Sequence, residues 1–387
     1  MAERALAHVE KIEWIRPIEE ADNIELIGVL GWVCIAKKGE FNVGDMAVYI
    51  EIDSKCPETD ERFAFLANKK FKVKTMKLGK FKVISQGLAL PLSLFPELQD
   101  KNIGDDVTEA LKITYASEED AARKTNKIDP NAKYKSMAKR KPKLFANPIV
   151  RRIMRYSIGR KIMFLLFGRK KDNPKKFPDW IVKTDETRIE NAPFYLQSTE
   201  KWIKTEKCDG TSCTFAVDRL KKGKNKFDFI VCSRNVRQAD REQACYHESN
   251  IYWELADKYD IEKILTQFAT DNDYNRVVLQ GEGVGSVQGN PYKFTENKLF
   301  VFNLIIDGTR LGTVEMADFC KSHGLASVPI IDTAYELPKT MEEMKLEADG
   351  YSELNPEVKR EGFVYRSING QQSFKNVSRE YLLKHNG

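Results

Sequence analysis

The protein has 387 residues, 42% of them hydrophobic, with 21 Phe, 14 Tyr and 5 Trp. That is enough to build packed interiors and too long for one small core, so two domains and a connector are expected. The net charge of +6 is too modest to argue by itself for a nucleic-acid partner. Seven cysteines (Cys34, Cys56, Cys208, Cys213, Cys232, Cys245, Cys320) are odd in number and lack C-x-x-C spacing, which speaks against a disulfide framework or structural zinc and for a reducing compartment. The four histidines, His8, His247, His323 and His385, are too scattered for a metal triad. The charged start "MAERALAHVEKIEW" is not a signal-peptide pattern. The longest apolar run, Ile162 to Phe167, is too short to span a bilayer. A soluble, intracellular protein without a membrane partner is expected.

Residues 1–110 read as short strands with frequent turns, in the manner of a small β-barrel: "WVCIA", the turn "KKGEFNVGD", then "MAVYIEID". Lys70-Phe71-Lys72-Val73-Lys74 predicts a strand with lysines on one face, and Lys77, Lys80 and Lys82 follow. That face is either a solvated outer surface or one that tracks a phosphate backbone. Residues 111–176 form a basic connector. Sixteen Lys and Arg but one acidic residue, Asp172, lie between Lys133 and Lys176. A helix is expected from Pro148, with Ile149, Ile153, Met154, Ile158, Ile162 and Leu166 near one stripe and Arg151, Arg152, Arg155 and Lys161 around it. It reads as a docked connector, a nucleic-acid arm or a membrane-surface helix.

From residue 177 to 387 strands mix with helices. "SCTFAVDR" and "KFDFIVCSR" form a hairpin and "SNIYWELADKYDIEKILTQFA" a helix or helix pair. "NRVVLQGEG" and "KLFVFNLI" are strands, and "EGFVYRS" and "QQSFKNV" flank "ING" as a second hairpin. The fold class expected is α+β: antiparallel sheets with helices, preceded by the barrel.

The chemistry lies in an ordered set of residues on or beside these strands: Lys207, Asp209 and Gly210 in "EKCDGTSCTFAV", then Arg234, Glu282, Phe302, Glu361 and Lys375. Carboxylates on strands need a reason, because burying an unpaired charge costs several kcal/mol. "GEGVGSVQG" lacks the G-K-[ST] and the helix signal of a phosphate loop and is set aside.

This set resembles the covalent nucleotidyltransferases. "TEKCDGTS", "CSRN", "QGEGVGSVQGNPYK", "LFVFNL", "REGFVYR" and "SFKNVSREYLLK", with "FPDWIVKTDETRIEN" ahead of them, are most similar to ATP-dependent RNA ligases that seal nicked duplexes. "KKGEFNVGDMAVYIEID" and "SQGLALPL" are similar to the N-terminal oligonucleotide-binding (OB) domain of one subgroup. The resemblance implies an ATP-grasp-like adenylyltransferase domain in which Lys207 attacks the α-phosphorus of ATP and forms lysyl-AMP. It implies Asp209 and Glu282 at the ribose or at metal waters, Phe302 stacked on the base and Glu206 at the base edge. Glu361, with Glu282, would hold Mg²⁺ or Mn²⁺, and Arg188 and Arg234 would meet phosphates. A nucleophilic lysine needs its ammonium form, with pKa ~10.4, disfavoured by neighbouring positive charge or by burial; Lys375 and the cation would provide the charge. Arg188 has the plainer alternative of pairing with Glu186. The implied partner is RNA or an RNA-containing nicked duplex, with no obligate protein partner and a monomeric state.

Related ligases commonly carry two lysines separated by one residue in the last motif, whereas the first position here is Ser373. Either Lys375 suffices or Lys293 or Lys384 takes the second role. The hairpin makes a geometric prediction. A two-residue turn at Asn369-Gly370 would pair Val364 with Lys375 and put Glu361 and Lys375 on opposite faces. A three-residue loop, Ile368 to Gly370, with Gly370 left-handed, is therefore expected. Rival functions are a GTP-using capping guanylyltransferase and a catalytically inactive RNA-binding adaptor. Capping enzymes carry an OB domain after the last lysine motif, and the twelve residues after Lys375 favour the ligase.

Overall fold

Alternating apolar residues make Ala7–Pro17 a strand, and one irregularity in it shapes the whole N-terminal region. The computed structural model describes residues 5–116, 142–167, 175–221, 226–238, 250–368, 370 and 372–385. The first half of Ala7–Pro17 pairs with Met46–Ile50 and the second half with Ile24–Val29. The register slips between Ile12 and Trp14. Such an irregularity bends a strand and raises its twist, which lets one strand serve both walls of a curled sheet. The five-stranded order is Trp32–Lys37, Ile24–Val29, Ala7–Pro17, Met46–Ile50, Leu88–Pro91, all antiparallel. One apolar cluster gathers Val9, Val48, Ile50, Phe63 and Phe95; another gathers Ile12, Ile27, Val29, Trp32 and Tyr49. Each fully buried side chain of this size contributes about 1.5–3 kcal/mol.

The strand expected over Lys70–Lys74 does not form. A 3₁₀ helix, Glu61–Lys69, ends there, and Lys70 and Phe71 take left-handed backbone at φ 54° and 58°. Their N–H groups close on Ala67 and Leu66, and the Phe71 ring packs on the barrel core. Local capping and one aromatic anchor thus override the alternating pattern. Lys77, Lys80 and Lys82 are exposed beside the short hairpin Met76–Leu78 and Val83–Ser85.

The chain divides into two compact units, one of Met1–Arg123, Asp185–Cys208 and Pro329–Gly387, the other of Lys124–Thr184 and Asp209–Val328. The first unit adds a five-stranded sheet to the barrel, in the order Thr187–Arg188, Ser373–Val377, Gly362–Ser367, Trp202–Glu206, Ile330–Tyr335. One face of this sheet is a core of Trp202, Phe363, Tyr365 and Phe374 closed by Met344 of the helix Met341–Ala348. Barrel and sheet are joined by the Gly31 N–H on the Glu190 carbonyl at 2.8 Å, the Trp32 indole on Asn191 at 2.5 Å, and the Asn191 amide on Glu51 at 2.5 Å. Val377 and Leu382 complete a barrel cluster.

The second unit is built on a sheet centred on Phe227–Cys232, Thr211–Arg219, Arg276–Val284 and Lys298–Ile306. Helices Ile251–Lys258, Ile261–Asp271 and Thr313–Ser322 cover one face, burying Phe215, Leu255, Leu265, Leu279 and Leu304. Phe177, Trp180 and Ile181 cover part of the other. The connector starts its helix at Pro148, as expected, with Asn147 as its cap, but the helix breaks. Pro148–Arg155 ends at an extended Tyr156 whose N–H turns back to Ile153, and Ser157–Phe167 begins anew. Ile149, Ile153, Ile158, Ile162 and Leu166 are exposed, so the stripe is not a buried docking face. "YKSMAKRKPK" lies almost wholly outside the described residues. Among the described residues no helix is long and apolar enough to cross a membrane.

Candidate active site

Lys207 follows directly on Trp202–Glu206, and the cross-strand register says what it can meet. Thr205 pairs with Val364, and Val364 with Lys375; the Lys207 N–H continues the ladder to the Gly362 carbonyl at 3.0 Å. Directly paired residues and alternate residues along a strand share a face. Lys207, Lys375 and Thr205 are therefore on one face, together with Arg366 and Ser373, which pair on the next rung.

The register Val364 with Lys375 is the one that sequence reasoning set against a shared face for Glu361 and Lys375, and the three-residue loop is not formed. Gly370 does take the left-handed conformation, at φ 71°; Asn369 lies outside the described residues. The compensation sits at the other end of the strand. Gly362 has φ 149°, and a Cβ there would overlap the Asn376 carbonyl oxygen and stand 3.0 Å from Val377 Cα. This glycine breaks the alternation, and Glu361 Oε2 lies 2.8 Å from Lys207 Nζ. The pair is partly buried, with 27% of the lysine and 14% of the glutamate side chain exposed, so it is only partly screened by water. Lys375 Nζ lies 2.8 Å from Asp185.

Glu206 points the other way. It is buried on the core face, where its carboxylate accepts from the Ser352 hydroxyl and, at 2.7 Å, from the Glu353 N–H. Burial pushes its pKa up against these hydrogen bonds. The structure does not bring it onto the Lys207 face. Arg188 also departs from the pairing with Glu186 considered above. It is buried and meets Asp53 of the barrel at 3.1 Å, while Glu186 meets Arg366 at 3.3 Å and accepts from the Ser373 hydroxyl.

The remaining residues of the set belong to the second unit. Asp209, half-buried, donates its N–H to the Tyr292 hydroxyl at 2.7 Å. At Gly210 a Cβ would overlap the Gly283 carbonyl and lie 2.9 Å from Val284 Cγ1, so the close approach admits only glycine. Ser212, Glu282 and Phe300 form one rung of the sheet, on the face opposite the helix-covered core. Between the next rungs the register slips: Gln280 pairs with Asn303 but Gly281 with Val301, leaving Phe302 as the extra residue of a bulge. Two residues then oppose one; counted from Phe300, Phe302 stays on the face away from the helix-covered core, and the bulge shifts the residues after it so that Leu304 returns to that core. Phe302 is half-buried and no member of the apolar clusters. Arg234 is exposed in the turn before Val236–Arg237.

Sequence reasoning did not single out Asp185 and Arg366, and it named Glu186 only as a partner for Arg188. All three lie in segments singled out above, but their partners are 190 and 180 residues away, beyond the reach of any local pattern.

In the first unit a curled barrel is joined to a sheet that holds a lysine at a strand end beside a carboxylate and a second lysine, the arrangement that the resemblance to covalent nucleotidyltransferases implies. An OB-fold domain model matches residues 6–92 and an RNA ligase model residues 200–383. Naegleria gruberi RNA ligase with PPi is similar along the whole length, at 30% identity, TM-score 0.76 and 99% of each chain. Two variants of that ligase, one with ATP and Mn and one with AMP and Mn, are each similar at 30% identity and TM-score 0.75. They cover 99% of this chain and 100% and 99% of their own. No protein of curated function matches significantly. The chain belongs to the RNA ligase family.

Proposed function

We propose that the protein is an ATP-dependent RNA ligase that joins a 3′-hydroxyl to a 5′-phosphate at a nick, through lysyl-AMP at Lys207. The observation that carries this reading is the 2.8 Å contact between Lys207 Nζ and Glu361, on the face that also holds Lys375. Solved structures of the similar Naegleria ligase with ATP, AMP and PPi support it, since these are the donor, the transferred group and the leaving group of such a reaction.

In the first step Lys207 Nζ forms a bond to the α-phosphorus, and the bond from that phosphorus to pyrophosphate breaks. The amine must first shed a proton, and Glu361 Oε2 is within the reach at which a general base accepts one. Lys375 contributes positive charge that both favours the neutral amine and meets the phosphates. By the resemblance, Phe302 would stack on the base and Gly210 would let backbone approach the nucleotide. In the second step AMP passes from Lys207 to the 5′-phosphate. In the third a 3′-hydroxyl attacks that phosphorus and AMP leaves.

Among the described residues no three His, Cys, Asp or Glu side chains gather as a metal cage. Mg²⁺ or Mn²⁺ retains several waters and needs one or two carboxylates besides the phosphates, which Glu361, with Glu282, would supply. Such a cation, when bound, neutralises triphosphate charge.

The exposed lysines of the barrel, residues 1–110, and the basic connector, 111–176, would hold the duplex, leaving adenylyl transfer to 177–387. The deciding experiment incubates the chain with α-labelled ATP or GTP and Mg²⁺, followed by denaturing electrophoresis. Label from ATP that disappears in Lys207→Ala is expected. Label from GTP alone assigns the protein to the capping class, and no label from either refutes lysyl transfer. Sealing of nicked duplexes with ribose but not deoxyribose at the 3′ end tests the strand preference.

A further inference from the structure

We propose that Arg366 supplies, from the neighbouring strand, the second fixed cation of the adenylyl-transfer face, and that Glu186 positions it. The proposal rests on the lysyl-AMP reading above.

Ser373 occupies the position two residues before Lys375, and its hydroxyl carries no charge. Its direct cross-strand partner is Arg366. Directly opposed residues have Cβ atoms about 4.5–5.5 Å apart on one face. A cation moved from one member of such a pair to the other stays on the same rung and the same face. Here that rung adjoins the one carrying Lys375, and the Lys207 rung follows.

The side chain is held there. Arg366 is only 6% exposed, and its Nη2 lies 3.3 Å from Glu186 Oε1. The other oxygen of Glu186 accepts from Ser373. One carboxylate therefore ties both members of the rung together. The adjacent Asp185 holds Lys375, so two consecutive carboxylates hold the two cations of one hairpin. A guanidinium buried this far is costly unless it is paired and hydrogen-bonded, and Glu186 supplies that partner.

Arginine also suits the task better than a third lysine. A lysine beside Lys207 and Lys375 would lose its proton more readily, since like charge disfavours the ammonium form, whereas a guanidinium stays charged in any protein environment. The other lysines considered do not share this sheet. Lys293 belongs to the second unit, in a turn at φ 57°. Lys384 is exposed on the C-terminal helix Arg379–His385.

The test uses the full-length chain and reads the rate of label transfer from α-labelled ATP as a function of ATP concentration. Arg366→Met, which keeps the apolar volume, should slow labelling about tenfold or more. Adding Ser373→Lys to Arg366→Met should restore most of the rate. A purely structural role for Arg366 predicts no such rescue, because a lysine at 373 does not restore the Nη2 contact made to Glu186 Oε1 from position 366. Glu186→Gln should raise the KM for ATP more than it lowers kcat. The proposal is overturned if Arg366→Met labels at the unaltered rate, or if the double variant is folded by thermal melting yet stays as slow as the single one. Should Arg366→Met not fold, Arg366→Lys with Ser373→Lys gives the same comparison, and a rate below a tenth of the unaltered chain's overturns it equally. Absence of label in the unaltered chain refutes the ligase reading itself, a result separate from anything the variants show.

Discussion

Gly362 is the hinge on which the proposed chemistry turns, and Gly362→Ala tests it. At φ 149° an L-residue is strained by about 1–3 kcal/mol. The new Cβ would in addition overlap the Asn376 carbonyl oxygen and press on Val377 Cα at 3.0 Å. That ladder cannot give way easily. Asn376 is fully buried and its side-chain amide is tied to the Met344 carbonyl at 2.5 Å, while the Ser378 N–H bonds the Glu361 carbonyl at 2.8 Å. Strain and overlap together should lower stability by about 3 kcal/mol, read as a drop in the urea midpoint at unchanged slope. Any relaxation to negative φ swings Glu361 away from Lys207, and a shift of this kind lowers labelling from α-labelled ATP about a hundredfold. Gly370→Ala is the control. Its φ of 71° is also left-handed, but no atom lies within 4 Å of the added Cβ, so it should cost about 1–2 kcal/mol and leave labelling unchanged. A Gly362→Ala protein of unaltered stability that labels normally would refute the placement of Glu361.

The barrel should show pH-dependent stability through His8. Burial works against its charged ring, but hydrogen bonds and charge from Glu10 at 2.8 Å and Glu51 at 3.5 Å outweigh it and raise the pKa from 6.5 to about 9. Because the folded value lies above the unfolded one, the contribution, roughly 3 kcal/mol, is whole below pH 6.5 and lost as pH rises through about 9. His8→Leu should flatten that part of the urea-midpoint profile, and a wild-type profile level across the window contradicts the triad. Lys345 and Glu190 form an ion pair with both side chains 1% exposed, and Lys345 also bonds the Val377 carbonyl at 2.7 Å. Lys345→Met should destabilise by about 3–5 kcal/mol in chemical unfolding, and a loss under 1 kcal/mol would show the pair to be dispensable. Phe302→Ala should raise the KM for ATP about tenfold while costing under about 1 kcal/mol of stability, whereas Phe215→Ala, in the fully buried cluster, should cost about 3–5 kcal/mol. Equal stability losses for the two would place Phe302 in the core after all.

Much of the protein was legible in its residues because the relevant signals are local. Period-two apolar runs placed Thr211–Arg219, Phe227–Cys232, Arg276–Val284, Lys298–Ile306 and both strands of the last hairpin. Asn147 and Pro148 gave the start of a helix. Lys207, Glu361 and Lys375 stood out through their order along the chain, which resembles that of the covalent nucleotidyltransferases. The tertiary structure alone decided which partner each takes. Arg188 went to Asp53, 135 residues away, and not to Glu186; Lys375 took Asp185. It also decided that Glu206 faces the core, that a bulge follows Val301, and that a glycine at the base of the hairpin, not a longer loop at its tip, turns Glu361 toward Lys207. Side-chain direction follows from register, and register depends on pairing between segments distant in the chain. Local periodicity can say that two faces exist, but which residues meet across strands is settled only when the sheets assemble.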